Sequence, residues 1–141
     1  MSLHSLTLPL WAEWEDASSE VLELRPIRVK FRYRSDDPFA ILLDFAVGSE
    51  LWVRWTIARE LLADGLVQDS GEGDVHIAPD SDLSSRVWLA FSTPTGVAVF
   101  AFQRSDLETA LAETEVLVPI GSESALIDWD RELKHLRGDA A

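Results

Sequence analysis

The sequence predicts an α+β fold dominated by antiparallel strands, on three observations. Strand-like runs separated by short turn signals fill most of the chain as far as residue 103. Helical spacing is confined to one short internal segment and two segments near the end. The 141 residues, 47% apolar and 26% charged, suffice for one domain with a real core, so residues 1–141 are read as a single domain.

Leu6 to Trp14 reads as a strand whose Pro9 suggests an edge position, since proline cannot donate to a neighbour. "EDASSE" is a polar connection. Ile27 to Tyr33 is the next strand, ending in the turn signal "SDDP". Phe39 to Val47 is apolar on both faces apart from Asp44, and Gly48-Ser49 suits a two-residue type II′ hairpin turn. The return strand, "ELWVRWTIA", sets Leu51, Val53, Trp55 and Ile57 on one face and Trp52, Arg54 and Thr56 on the other.

A short helix follows in "ARELLADGL". Gly65 is placed as a left-handed C′ residue, with Leu66 packing back on Leu61. "GEGD" is a turn and "DVHIAP" a brief strand stopped by Pro79. Arg86–Ser92 and Val97–Gln103 form a hairpin around "TPTG". Ser105 and Glu108 read as a capping box opening a helix with Leu107, Ala110 and Leu111 on its buried stripe. Trp129, Leu133 and Leu136 mark a terminal helix beginning near Asp128. "FAILL", "VWLAF" and "VAVFAF" are apolar on both faces, and three modest helices offer little cover for a second sheet face. A homo-oligomer is therefore expected.

The stretch "RPIRVKFRYR" departs from its surroundings. Arg28, Lys30, Arg32 and Arg34 alternate with Ile27, Val29, Phe31 and Tyr33, giving a strand one cationic and one apolar face. The chain as a whole carries −13, and removing this +5 segment leaves −18 on the rest. That field repels a polyanion, so nucleic acid is not the expected partner. A single-stranded nucleic-acid binder, with Tyr33 or Trp52 as stacking platforms, is the rival reading. Trp52 and Arg54 share a face of mixed character typical of interfaces. Arg28, Lys30, Arg32, Arg34, Trp52 and Arg54 are accordingly the candidate interaction surface. Trp55 and Trp129 are read as core, and Trp11 and Trp14 as lying on opposite faces of the first strand.

Chemistry finds no foothold in the motifs. Cysteine is absent, and His4, His76 and His135 lack metal-ligand spacing. "DSGEGD" and "DSDLSS" fail the EF-hand pattern, the first at its third and fifth positions and the second at Ser85, where glycine is required. No nucleophile elbow, Walker loop or dinucleotide fingerprint is present. No catalytic residue, metal or cofactor is expected. The N-terminus lacks the basic start of a signal peptide, and no apolar run reaches 18 residues, so a soluble cytosolic protein is expected.

From "RYRSDDPFAILLDF" through "WTIARELLADGL" and "GEGDVHIAP" to "LSSRVWLAFSTPTG", "VPIGSES" and "IDWDRELKHL", the chain resembles the SsgA-like family in register over roughly Arg25 to Arg137. The resemblance implies a small, acidic, non-enzymatic protein of sporulating actinobacteria. It would help place division septa, in part by localising FtsZ, the tubulin-like division scaffold. It also implies a Whirly-like, barrel-like arrangement of two antiparallel sheets with C-terminal helices, assembled as a trimer. The basic run before Tyr33 is heavier than the family pattern, and the family supplies no catalytic residues to carry over.

Overall fold

The structure, a computed structural model, describes residues 4–16 and 23–126. Four strands come first: β1 (Ser5–Asp16), β2 (Glu23–Arg34), β3 (Ala40–Gly48) and β4 (Leu51–Ala58). Helix α1 (Arg59–Gly65) leads into β5 (Ser70–Glu72), β6 (Val75–Pro79), β7 (Arg86–Thr93) and β8 (Gly96–Gln103). Helix α2 (Arg104–Leu117) and a 3₁₀ turn (Glu123–Leu126) follow. The helix expected from Asp128, with Trp129, lies outside the described residues.

The strands form one antiparallel sheet in the order β4-β3-β2-β1-β8-β7-β6-β5, where two sheets were expected. The reason is the length of β1. Its 12 residues pair with β2 throughout, and Ala12–Trp14 also pair with β8, which joins the two halves. The sheet then curls until its halves meet face to face. Phe45 of β3 stacks on Phe100 of β8 with ring centroids 4.1 Å apart, and Trp55 of β4 on Phe91 of β7 at 4.6 Å. Curling lets one half of the sheet cover the other, so the core needs little helix. Helix α2 adds Leu107, Ala110 and Leu111 to it, and α1 adds Leu61 and Leu62.

Burial on β7 is one-sided, against the expectation of strands greasy on both faces, whereas β8 buries both faces at Phe100, Ala101 and Phe102. Val87, Leu89 and Phe91 are buried, while Trp88 and Ala90 on the outer face are half-buried and Ser92 is exposed. Four further local expectations change. Strand β1 is interior rather than an edge, but Pro9 lies where β1 pairs with β2 alone, so the missing N–H is tolerated there. The β3–β4 loop is Ser49-Glu50, one residue later than read. Gly48 pairs with Leu51 across a register shift, and Glu50 takes the left-handed conformation at φ 59°.

Helix α2 begins at Arg104 with Gln103 as N-cap and no side-chain cap, so Ser105 forms no capping box. Arg104 anchors that end instead: its backbone N–H donates to the Ser85 carbonyl and its side chain to the carbonyls of Ser84 and Leu66. Gly65 closes α1 without a positive φ, and Leu66 after it is right-handed. Glycine is needed there for space, because a Cβ would lie 2.3 Å from Cγ2 of Ile77 on β6.

Candidate functional site

The register turns the outer face of β1–β4 into a grid of cross-strand rows. One row runs Pro9, Lys30, Asp44, Arg54 and the next Thr7, Arg32, Leu42, Thr56. Trp11 faces Arg28 across β1 and β2, and Ala46 faces Trp52 across β3 and β4. All six candidate residues therefore share one convex surface, with Arg34 at its end opposite Ser5. Trp11 joins them; its place opposite Arg28 follows only from a register that the sequence does not reveal.

Four of the six cations in and beside the stripe face a carboxylate, although Arg32 and Arg54 share one. The Asp44 carboxylate, nearly buried, accepts from Arg54 through Nε at 2.7 Å and Nη2 at 3.0 Å, and from Arg32 Nε at 2.8 Å. These hydrogen bonds, Arg54 first, hold its pKa below the ordinary Asp value against the opposing effect of burial. Arg34 closes a two-pronged bridge to Asp36 at 2.8 and 2.9 Å, lowering the Asp36 pKa. Arg25 bridges Asp16 at 2.9 Å. An acid alone in an apolar strand, as Asp44 is in "FAILLDFAV", was the available signal for this clamp.

Arg28 and Lys30 differ. Neither makes an ion pair with a described residue. The Arg28 guanidinium lies 5.6 Å from the Trp11 ring centroid and the Lys30 ammonium 4.4 Å from that of Trp52. An indole face attracts a cation and fixes its position without cancelling its charge. Trp11 is 58% exposed and Trp52 38%. Between them a groove of about 380 Å³, open to solvent, is lined by Trp11, Pro26, Arg28, Ala46, Glu50 and Trp52.

Tyr33 is not on this surface. It is buried, its hydroxyl donates to the Pro38 carbonyl at 2.8 Å, and burial raises its pKa. It cannot serve as a stacking platform. Over its ring, 5.2 Å from the centroid, sits the guanidinium of Arg59, which is 2% exposed. Arg59 donates to the Val118 carbonyl at 2.8 Å, to Thr114 Oγ1 at 3.4 Å and to Glu123 Oε1 at 2.6 Å. Its backbone N–H donates to the Phe39 carbonyl at 2.7 Å. Three stretches, "RYRSDDPF", "WTIAREL" and "VPIGSES", thus converge on one buried arginine. That residue escaped the sequence reading; a lone Arg set among Ile57, Ala58, Leu61 and Leu62 was its signal.

Among the described residues, no group of three or more His, Cys, Asp or Glu side chains could hold a metal ion, and no helix is long and apolar enough to cross a membrane.

Comparison with known proteins places this architecture. The family model for the Streptomyces sporulation and cell division protein SsgA matches residues 27–123. The chain is 44% identical over 113 residues to the sporulation-specific cell division protein SsgB of Thermobifida fusca, covering 79% of this chain and 82% of the relative. It is 41% identical over 109 residues to SsgB of Frankia casuarinae, covering 77% and 76%. The crystal structure of an SsgA-like sporulation-specific cell division protein from Thermobifida fusca superposes with a TM-score of 0.83 at 37% identity. The match covers 96% of this chain and 97% of that one. A structure described with SsgB mutations that correlate to longitudinal cell division during sporulation of Streptomyces coelicolor gives a TM-score of 0.78 at 33% identity, over 88% of this chain and 96% of that one. The chain belongs to the SsgA family of sporulation and cell-division proteins.

Proposed function

We propose that this protein is a non-enzymatic recruiting scaffold of septation. It assembles into a homo-oligomer, as a trimer in the arrangement the resemblance implies, and holds FtsZ and its associated division proteins at the cytoplasmic side of the forming septum. The observation that carries the reading is the similarity to proteins named SsgB across about four fifths of the chain. In Streptomyces coelicolor, mutations in SsgB correlate with longitudinal cell division during sporulation, which ties that relative to the choice of division plane. The convex face supports the reading physically, because exposed tryptophan beside uncompensated cation is the composition of protein contact surfaces.

Half-buried Leu42, Trp88, Ala90 and Val99 on the outer face are the area that self-assembly would cover. Several copies of one weak site in an oligomer raise avidity about 100-fold or more when the geometry permits simultaneous engagement. Against nucleic acid stand the burial of Tyr33 and the occupation of Arg32, Arg34 and Arg54 by carboxylates. Co-sedimentation with FtsZ polymers at physiological salt, together with sedimentation velocity, is the test. Pelleting with polymer and a mass above the monomer are expected; a monomer left in the supernatant overturns the proposal.

A further inference from the structure

We infer that the groove between Trp11 and Trp52 receives an extended acidic peptide segment of a partner protein, two of its carboxylates meeting Arg28 and Lys30 and its apolar side chains lying against the two indoles. The inference rests on the recruiting reading and names the surface and the chemistry through which recruitment would act. Charge complementarity is the first argument. On a chain carrying −13, Arg28 and Lys30 are the two cations of the stripe that have no carboxylate partner among the described residues. Each is pinned over an indole, and a stacked guanidinium keeps its edge N–H donors available for a carboxylate.

Shape is the second argument. Ala46 is small and stands directly across from Trp52, which leaves the groove between the two tryptophans. Residues two apart on an extended chain are separated by about 6.7 Å, so acids at alternate positions of an extended peptide match the spacing of Arg28 and Lys30 along β2. The occupant is a short segment rather than a longer polyanion. Beyond these two cations the face presents the Asp44 and Asp36 bridges on one side, and Glu50 in the groove lining. A phosphodiester backbone would find only one further net positive charge on this face, the one left where Arg32 and Arg54 share Asp44.

The experiment titrates the full chain with an acetylated hexapeptide of alternating aspartate and leucine, following the indole N–H resonances by NMR. Controls are the asparagine-for-aspartate peptide and a hexathymidylate. The expected result is movement of the Trp11 and Trp52 signals while those of Trp14, Trp55 and Trp88 stay still. Affinity should fall about tenfold or more in the Arg28→Gln/Lys30→Gln variant. The charge-conserving Arg28→Lys/Lys30→Arg variant should stay within about threefold of wild type, since both cations remain. Four results would each overturn the inference: stationary signals at about 1 mM peptide, equal binding of the neutral peptide, tighter binding of the oligonucleotide, or an unaffected double Gln variant. FtsZ is absent from this titration. Peptide binding without FtsZ pelleting would sink the recruiting proposal and leave the groove standing, and the converse would sink the groove alone.

Discussion

Arg59 and Arg28 carry the same guanidinium under opposite conditions, and the contrast separates the two faces of the sheet. On the concave side, Arg59 is enclosed, lies over Tyr33 and donates to Thr114, Val118 and Glu123. Its charge is spent on fastening α1 and β4 to the segment after α2. On the convex side, Arg28 leans on one indole and has no described acid beside it. Between these extremes stand Arg32 and Arg54, sharing Asp44. A cation count alone, five between Arg25 and Arg34, overstates the attraction this surface offers. Whether a carboxylate already occupies each cation decides which of them can act on a partner.

If that contrast holds, substitutions should rank by enclosure. Arg59→Ala should have the largest effect. It leaves the buried Val118 carbonyl without its donor, strips half-buried Glu123 of its cation and empties the enclosed space of the side chain, for a loss of about 3–5 kcal/mol in urea unfolding. A loss under about 1 kcal/mol would erase the distinction between the faces.

Asp44→Asn should come next, at about 1–2 kcal/mol, because its two arginines remain open to solvent. Its pH dependence has a definite sign. The folded pKa of Asp44 lies below the unfolded value, so the carboxylate stabilises the fold fully above that unfolded value, about 3.9. The contribution is lost as pH falls from there through the depressed folded value. Melting curves of wild type and Asp44→Asn should therefore differ by a constant amount between about pH 7 and pH 5 and converge below about pH 4. A gap that widens on acidification would contradict the clamp.

The smallest effect on stability belongs to Arg28→Gln/Lys30→Gln, at about 1 kcal/mol or less, since each side chain loses only an exposed cation–π contact and neither is enclosed or ion-paired to a described residue. A thermal scan reads it, and a drop comparable to that of Arg59→Ala would make the stripe a structural element rather than a contact surface.

How much of this could be read beforehand follows the range of the interaction. The alternation in residues 27–34 was legible because side-chain direction on a strand repeats every two residues. The structure keeps Ile27, Val29, Phe31 and Tyr33 inside and the cations outside. Trp11 and Trp14 fall on opposite faces for the same reason, Trp14 stacking with Phe100. Local turn and cap chemistry was read less well. Gly48 and Ser105 offered plausible hairpin and cap signals, but the register of β3 on β4 and the anchoring of Arg104 overrode them.

Long-range geometry was out of reach. That β1 would join both halves of one curled sheet depends on pairings of residues more than 85 apart, such as Trp14 with Phe100. That the halves would cover each other depends on contacts such as Phe45 with Phe100 and Trp55 with Phe91. The clamp on Asp44 and the enclosure of Arg59 depend on register and tertiary closure in the same way. The six candidate residues did gather on one face, because β2 and β4 flank β3. Their division into paired and unpaired sets required the positions of two carboxylates, Asp44 and Asp36.

The central claim is that recruitment acts through the tryptophan-backed end of the stripe and not through its clamped end. The most direct measurement compares FtsZ co-sedimentation of two double variants, Arg28→Gln/Lys30→Gln and Arg32→Gln/Arg34→Gln, at one salt concentration. The account predicts that the first stays in the supernatant while the second pellets as wild type does. Pelleting of the first with loss of the second would contradict it.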